Sequence, residues 1–375
     1  MRSFRLGSAL GIEIRIDPSW FIIFFLILWT FSRTVFPLDY PGMAWWTYYA
    51  MGLVGALLFF SSLLAHELSH SVVARRRGVP VEGITLFIFG GMARTRMESR
   101  SPGEEFVIAG VGPLSSVLIG LVFGAVWWLG DRLGWTPAVT GVAAYLGFLN
   151  VMLAAFNLLP GFPLDGGRLL RSAVWKATGS VGKATRVASI GGAIVAAAAV
   201  GGGLWQAYRG EVLNGLWLAL IGWFLLNAAR SSYRQFAVVH ALESVPALEA
   251  MTRWPETVPP DLPLQQLVAE HFLRRHFHAY PVVAADGRAL GLVTQEQVRA
   301  VPESEWRVRA VADVMTPVRP ALEVRPDESM ARVLDRLTVA GGGRLLVVRD
   351  GRLEGIITPA DVAGWLKRAQ QLKRI

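Results

Sequence analysis

One stretch decides the fold of this chain: positions 63–70 read LLAHELSH, inside an apolar segment that runs from 45 to 73. In a helix, His66 and His70 would lie on one face about one turn apart, because four steps of roughly 100° come almost full circle. Both imidazoles could then bind one metal ion. Glu67 would lie beside that face, where it could take a proton from the attacking water instead of acting as a ligand.

The position of this motif in a membrane segment limits the possible roles of its residues. Ionisable groups inside a membrane segment are costly and usually functional. Zinc suits neutral imidazoles and carboxylates, and a catalytic zinc usually has three protein ligands and one open position. The third ligand must therefore come from elsewhere in the chain. The alternative for the motif is a proton relay, or a helix end whose polar groups reach interfacial water.

The composition indicates that much of the chain lies in a membrane. Of the 375 residues, 53% are hydrophobic and only 17% are charged, whereas soluble domains carry about 25% charged residues. The net charge of +9 could suggest nucleic acid, but the basic residues cluster beside the hydrophobic segments. This distribution favours membrane topology, so no nucleic-acid partner is expected. The chain has no cysteine, which excludes disulfides and thiolate sites.

Six segments are long and apolar enough to cross a membrane, at about 20–36, 45–73, 105–130, 139–159, 187–204 and 212–229. An even number of spans places both termini on the same side. Arginine and lysine concentrate in the loops on that side, so the positive-inside rule predicts cytosolic termini. The sequence therefore predicts a multi-pass protein of the prokaryotic cell membrane.

Residues 79–97, between the second and third spans, are β-prone and contain the turn signal Gly90-Gly91. The segment is too short to cross a membrane as a helix. A re-entrant hairpin buried against the helices is predicted, with a surface hairpin as the alternative. Residues 11–16 alternate between apolar and other residues and predict a short strand.

The fourth span runs into the sequence NLLPGFPLDGGR at positions 157–168. Pro160 and Pro163 must interrupt the helix, and a broken helix at membrane depth is tolerated where it lines a site. Asp165 is the predicted third metal ligand, with the N-cap of the next helix as the alternative. Asn157 either donates its amide to a substrate carbonyl or satisfies the broken backbone, and both interpretations stay open.

The composition changes after position 230, and an internal repeat begins. DGRALGLVT at 286–294 matches DGRLEGIIT at 350–358, an offset of 64 residues. Each copy reads as a strand, a helix, two short strands around an Asp-Gly turn and a second helix. We predict a six-span core at 1–230, a linker at 231–245 and a pseudo-symmetric pair at 246–375, with copies at about 246–303 and 308–370.

These motifs resemble those of a known family. Residues 1–230 resemble the site-2 protease family of intramembrane zinc metalloproteases, on the basis of HELSH at 66–70, the later Asn157, Pro160 and LDG at 164–166, the Gly90-Gly91 hairpin and Gly112-Pro113. The resemblance implies one Zn²⁺ per chain held by His66, His70 and Asp165, with Glu67 as the base and Asn157 helping to hold the substrate. It also implies transmembrane protein substrates and regulated intramembrane proteolysis.

The C-terminal part resembles a tandem cystathionine-β-synthase (CBS) domain pair, a cytosolic regulatory module in that family. CBS pairs that bind adenine nucleotides such as ATP, ADP or AMP often carry Thr-x-x-Asp for the ribose hydroxyls. The second copy keeps Thr358 and Asp361, whereas the first copy has Thr294 and Gln297. One nucleotide site, involving Thr358 and Asp361, is therefore predicted, with a CBS pair that only packs or dimerises as the alternative. Because CBS pairs often associate in twos, a homodimer through this pair is also predicted.

The predicted fold class is a polytopic α-helical membrane protein with about six transmembrane helices, an embedded β-hairpin and a cytosolic α/β CBS pair. The predicted function is that of an intramembrane zinc metalloendopeptidase surrounded by membrane lipid. One alternative is a CBS-gated transporter or channel, in which the residues of the two motifs line an ion path. Another is an inactive scaffold that binds membrane helices. One departure from the family concerns Ser115-Ser116, where many relatives place an asparagine, and it questions a substrate-binding role for this segment.

Overall fold

Two units make up the chain, and they divide between Arg234 and Gln235. The computed structural model describes residues 3–88, 90–95, 99–275, 277–339 and 343–371. The end of the segment predicted as a hairpin, at 96–97, lies outside the described residues.

Among the described residues, six helices are long and apolar enough to cross a membrane, which confirms the six predicted spans. They are α1 (Ser19–Asp39), α2 (Trp45–Arg76), α3 (Pro102–Arg132), α4 (Pro137–Asn157), α6 (Val181–Tyr208) and α7 (Val212–Glu243). A shorter helix, α5 (Asp165–Thr178), stands between the fourth and fifth spans. It ends at Gly179, whose φ of 67° is the left-handed conformation that glycine adopts readily at helix ends.

Local sequence signals and small residues explain how α3 and α4 form and meet. Helix α3 begins with a proline at its first position, and the Ser101 hydroxyl accepts a hydrogen bond from the Glu104 N–H at 3.2 Å. Farther along, a Cβ placed on Gly147 of α4 would lie 3.3 Å from the Gly120 carbonyl oxygen of α3. The two backbones therefore approach closely, as small residues allow in membrane helices.

A four-stranded sheet packs against the helix that carries the His-Glu-x-x-His motif. Its strands are β1 (Phe4–Ala9), β2 (Ile12–Ile16), β3 (Val81–Phe87) and β4 (Gly90–Thr95), in the order β1-β2-β3-β4. Strands β2 and β3 are parallel, and the other two pairs are antiparallel. Ile12, Ile84 and Leu86 form a buried cluster that Leu64 and Leu68 of α2 join. The hairpin is thus packed on a helix, as predicted, and not an isolated surface hairpin.

The second unit repeats one arrangement twice, as the 64-residue offset predicts. One sheet has the order β6-β7-β8, with strands Ala279–Val283, Ala289–Thr294 and Thr316–Pro317. The other has the order β5-β11-β10-β9, with strands Thr252–Arg253, Arg352–Ile357, Leu345–Arg349 and Glu323–Val324. The short helices of this unit are α8 (Ala247–Ala250), α9 (Leu264–Gln266, continued by a π-helical turn at Leu267–Phe272), α10 (Gln295–Arg299), α11 (Met330–Val339) and α12 (Pro359–Gln371).

The two copies exchange equivalent contacts. Ala289 N–H donates to the Gly351 carbonyl at 3.0 Å, and Leu353 N–H donates to the Gly287 carbonyl at 3.3 Å. Both donor and acceptor positions differ by the repeat offset. The two copies therefore meet through matching Asp-Gly turns, which gives the pair its pseudo-symmetry.

The segment predicted as a linker at 231–245 differs from expectation, because α7 continues as a helix to Glu243. Leu242 and Val245 are buried in a core with Met330 and Val333, and Val238 packs against the same core. Apolar residues at 238 and 242 are one helical turn apart, so a helix buries both on one face. In the sequence, the polar residues at the start of this segment favoured a linker.

Candidate metal centre

Two histidines of α2 bring their ring nitrogens to one point. His66 and His70 are one turn apart, and both are buried, at 2% and 6% exposure. Their Nε2 atoms are 3.2 Å from each other. Each Nε2 lies 3.1 Å from Oδ2 of Asp165. The structure therefore brings the three predicted ligands together, and these atoms could hold a metal ion.

Asp165 reaches this point because the chain breaks after α4. It is the first residue of α5, and the N-cap position belongs to Leu164, with no side-chain capping hydrogen bond. The interpretation of Asp165 as an N-cap is therefore wrong. Helix α6 holds the broken segment in place. Phe162 N–H donates to the Ala188 carbonyl at 3.1 Å, and Leu164 is buried against Ala196.

The outer nitrogens of both rings are held by α3. His70 Nδ1 lies 2.6 Å from the Ile108 carbonyl oxygen. A carbonyl only accepts hydrogen bonds, so this nitrogen carries a proton, and in the neutral ring Nε2 then keeps its lone pair. His66 Nδ1 lies 2.9 Å from the Ser116 hydroxyl. This is the arrangement by which ligand histidines are usually oriented.

The donor set fits zinc. His70 Nε2 lies 3.1 Å from a carboxylate oxygen of Asp165. In the neutral ring with its proton on Nδ1, both atoms carry lone pairs, and a metal cation between them removes their repulsion. Ligand atoms of a tetrahedral zinc at 2.0–2.1 Å are separated by about 3.3 Å, close to the separations found here. Two imidazoles and one carboxylate also match the donor types of catalytic zinc sites.

Glu67 lies next to the cluster but outside it. Its side chain runs along the backbone of β4, since a Cβ built on Gly91 would lie 2.9 Å from Glu67 Cδ and 3.1 Å from Oε1. Only a glycine allows this approach at that point of the strand. The hairpin and α2 therefore hold the carboxylate between them, beside the candidate metal cluster.

Asn157 is placed at the last position of α4 and is half-buried. Its side-chain amide donates to the Leu153 carbonyl of its own helix at 2.9 Å. This bond agrees with the structural interpretation, in which the amide satisfies a helix end. A contact between Asn157 and substrate stays a prediction.

A buried asparagine near the site was missed in the sequence. Asn150 of α4 is fully buried. Its amide donates to the Leu146 carbonyl at 2.9 Å and to the Ser62 hydroxyl at 3.3 Å, one turn before His66. The available signal was a single asparagine in an apolar span, which is costly there and worth attention.

A buried ion pair, also missed, fixes the helix that carries Asp165. Glu105 of α3 is fully buried and accepts from Arg171 of α5, with the Nε–Oε1 distance at 2.7 Å. The Ser172 hydroxyl adds a hydrogen bond to the Pro102 carbonyl at 2.6 Å. Both contacts tie α5 to the start of α3. In the sequence, neither residue of this pair marks the other, because they are 66 positions apart.

In the second unit, Thr358 and Asp361 lie together at the start of α12. Asp361 Oδ2 accepts from the Thr358 N–H at 2.9 Å and from its hydroxyl at 2.6 Å, and Oδ1 accepts from the Thr252 hydroxyl at 2.7 Å. In the first copy, Gln297 accepts from Thr294 N–H at 2.8 Å and donates to the Thr316 hydroxyl at 2.6 Å. The two copies thus share one geometry, with a carboxylate in one and an amide in the other.

Two histidines of the membrane-length helix α2 and the aspartate that begins the shorter helix α5 form a buried cluster, with a glutamate beside it. This combination defines the class of integral membrane metallohydrolases.

Comparisons with known proteins identify the family. The model of peptidase family M50 matches residues 54–131 and 134–199, and the CBS domain model matches residues 247–303 and 311–368. Rip3 of Mycobacterium tuberculosis, named as a zinc metalloprotease, is 36% identical over 362 residues, which cover 96% of this chain and 91% of Rip3. A zinc metalloprotease of Methanocaldococcus jannaschii is 30% identical over 362 residues, which cover 96% of this chain and 95% of that protein.

A solved structure of a site-2 protease from Methanocaldococcus jannaschii aligns with a TM-score of 0.42 and 28% identity, covering 62% of this chain and 95% of that chain. The chain belongs to peptidase family M50, the site-2 protease family of zinc metalloproteases, and it carries a CBS pair. The sequence matches support a metalloprotease over the CBS-gated transporter.

Proposed function

We propose that this chain hydrolyses peptide bonds in or near transmembrane segments of substrate proteins, with zinc held by His66, His70 and Asp165. The observation that carries the proposal is the convergence of the three ligand atoms at 3.1–3.2 Å, two of them from the membrane-length helix α2 and one from the start of α5. Zinc in this position supplies a Lewis acid that polarises the scissile carbonyl and lowers the pKa of water toward neutrality.

The protein groups have separate tasks in this reaction. Glu67 takes a proton from the attacking water and returns it to the amide nitrogen that leaves, so the peptide bond is replaced by a carboxylate and an amine. The Ile108 carbonyl keeps His70 in the tautomer whose Nε2 faces the site. The ion pair between Glu105 and Arg171 holds α5, and with it Asp165, in place.

The sheet offers a way to present an extended substrate. Strand β4 stands at the end of the strand order, and its Gly91 lies against Glu67. A helical substrate hides its carbonyls in its own hydrogen bonds, so it must unwind before cleavage. An unwound segment can pair with β4 as an added strand and bring its carbonyl beside the base.

Zinc removal tests this function. Purified protein in detergent is expected to cleave a model single-span substrate, to lose cleavage after chelation and to regain it when zinc is restored, because the metal centre provides the electrophile. Cleavage that persists after complete metal removal would contradict the proposal. Solute flux through protein-containing vesicles that survives chelation would instead support the transporter.

The CBS pair is proposed to bind one adenine nucleotide, ATP, ADP or AMP, at Thr358 and Asp361, and two chains are proposed to associate through their CBS pairs. The Asp361 carboxylate can accept hydrogen bonds from ribose hydroxyls, whereas the first copy presents the Gln297 amide. A nucleotide changes cleavage only if it favours one arrangement of the chain over another. The membrane core is proposed to comprise residues 1–230 and the two CBS repeats residues 246–375, while residues 231–245 contain the end of α7 and part of the core of the second unit.

We expect calorimetric titration with adenine nucleotides to show one site per chain that Asp361→Ala removes. Gln297→Ala is the matched control, because both substitutions delete the same capping-box bond to a backbone N–H, and only the first deletes a carboxylate. Equal loss of binding in both variants would show that the cap, and not the carboxylate, matters. Binding that Asp361→Ala leaves unchanged would place the nucleotide elsewhere.

The chain is proposed to span the prokaryotic cell membrane with both termini in the cytosol. Because the chain has no cysteine, a single introduced cysteine is the only thiol. We expect a membrane-impermeant maleimide to label Glu211→Cys in intact cells and Lys176→Cys only after lysis, since both positions are exposed and the spanning helix α6 separates them in the chain. The reverse pattern would invert the topology.

A further inference from the structure

One face of α3 forms a wall behind the two ligand histidines. Ile108, Gly112 and Ser116 are four residues apart in turn, so they follow one another along the same side of the helix. The Ile108 carbonyl holds the outer nitrogen of His70, and the Ser116 hydroxyl contacts the outer nitrogen of His66. Between them, Gly112 leaves space, since a Cβ there would lie 2.7 Å from His66 Nε2.

We propose that Ser116 is a positioning residue for the metal centre, whose hydroxyl accepts a hydrogen bond from His66 Nδ1–H and holds the ring in the orientation that presents Nε2 to the ligand cluster. The inference rests on the zinc site proposed above. Ser116 would then affect how tightly the metal is bound, although it is not itself a metal ligand.

The environment of Ser116 explains why one hydroxyl has this effect. Ser116 is fully buried, and His66 is 2% exposed. Among the described residues, the Ser116 hydroxyl is the one group that hydrogen-bonds His66 Nδ1. If Nδ1 gave up its proton, Nε2 would carry it and lose the lone pair that a metal needs. If Nδ1 kept its proton with no partner, a buried donor would go unsatisfied, which is costly away from water.

The neighbouring serine is a natural control. Ser115 is half-buried, and its hydroxyl donates to the Gly112 carbonyl of its own helix at 2.7 Å. It also lies 3.4 Å from the Ser69 hydroxyl. It contacts neither ligand ring among the described residues. The two serines have the same chemistry and adjacent positions, so they separate ring positioning from a general effect of losing a hydroxyl in α3.

The experiment measures zinc affinity by chelator competition on the purified full-length protein in detergent. Ser116→Ala is expected to weaken zinc binding about 10- to 100-fold, the usual effect of removing the partner of a ligand histidine. Ser115→Ala is expected to bind zinc as the wild type does. At saturating zinc, cleavage by Ser116→Ala should return with an unchanged KM, because the substrate site is intact. The thermal unfolding temperature of the metal-free protein should be nearly the same in Ser116→Ala and in the wild type.

If Ser116→Ala folds poorly, a second pair of variants tests the same inference. Ser116→Thr and Ser116→Val have nearly the same shape and differ in the hydroxyl, so zinc should bind more tightly to the threonine variant. Equal affinity in the wild type and Ser116→Ala, or in the threonine and valine variants, would overturn the inference. Equal weakening in Ser115→Ala would also overturn it. A wild-type protein that binds no zinc would instead contradict the proposed metal centre.

Discussion

Replacement of Glu67 with glutamine is expected to abolish peptide-bond cleavage while zinc remains bound. The glutamine side chain keeps the size of the glutamate and removes the carboxylate that takes the proton from water. General-base catalysis contributes about 10²- to 10⁴-fold to rate, so cleavage should fall by at least two orders of magnitude. Glu67 is not one of the three converging ligands, which is why the metal should stay. Cleavage of a single-span substrate and metal content are measured on the same preparation.

A ligand variant and the zinc content of Glu67→Gln decide how the loss of cleavage is interpreted. His66→Ala should lose zinc and cleavage together, which separates a ligand from a base. Loss of zinc in Glu67→Gln would show that Glu67 holds the metal. Equal cleavage by Glu67→Gln and the wild type would mean that another residue supplies the base, or that a contaminating protease is at work.

The three residues of the candidate metal cluster were predictable because the chemistry of a metal site leaves local traces in the sequence. The spacing of His66 and His70 matches the helical repeat, and a site with two histidines needs a third donor. Asp165 follows two prolines that must break a membrane helix, and such breaks are tolerated where they line a site. Each inference uses a few neighbouring residues and a rule of backbone geometry.

The residues that support the ligands left no such traces. Ser116 and His66 are 50 positions apart, and Glu105 and Arg171 are 66 apart. Only the packing of α2, α3 and α5 brings these pairs together. In the sequence, a serine in an apolar span looks like any small residue that lets helices approach. The contact to His66 therefore had to come from the structure.

The end of α7 was not predicted from the sequence for a different reason. Polar residues between 230 and 245 suggested a linker, yet the helix continues to Glu243. Leu242 is fully buried among residues of the second CBS copy such as Met330. A segment of mixed composition folds as a helix when a few apolar residues find a core, and that core is formed by residues almost 90 positions away.

Replacement of Gly112 with alanine is expected to remove zinc binding, with a larger effect than any change at Ser116. The added Cβ would lie 2.7 Å from His66 Nε2 and closer still to His70 Nε2. Both atoms are proposed ligands, so relief of the clash must move a ring away from the metal or push α3 from α2. Protein interiors are packed too tightly for such a shift to be free. Metal content and chelator competition measure the outcome, and cleavage should be lost with the zinc.

A second glycine of the same helix provides the control. A Cβ on Gly124 would meet nothing within 4 Å, and alanine favours a helix over glycine by about 1 kcal/mol. Gly124→Ala should therefore bind zinc and cleave substrate like the wild type, with equal or higher thermal stability. If Gly112→Ala also kept full zinc affinity, the histidine rings could not lie against α3 as described. The positioning role of Ser116 would then fail as well, because both effects require the same face of α3 to contact the ligand rings.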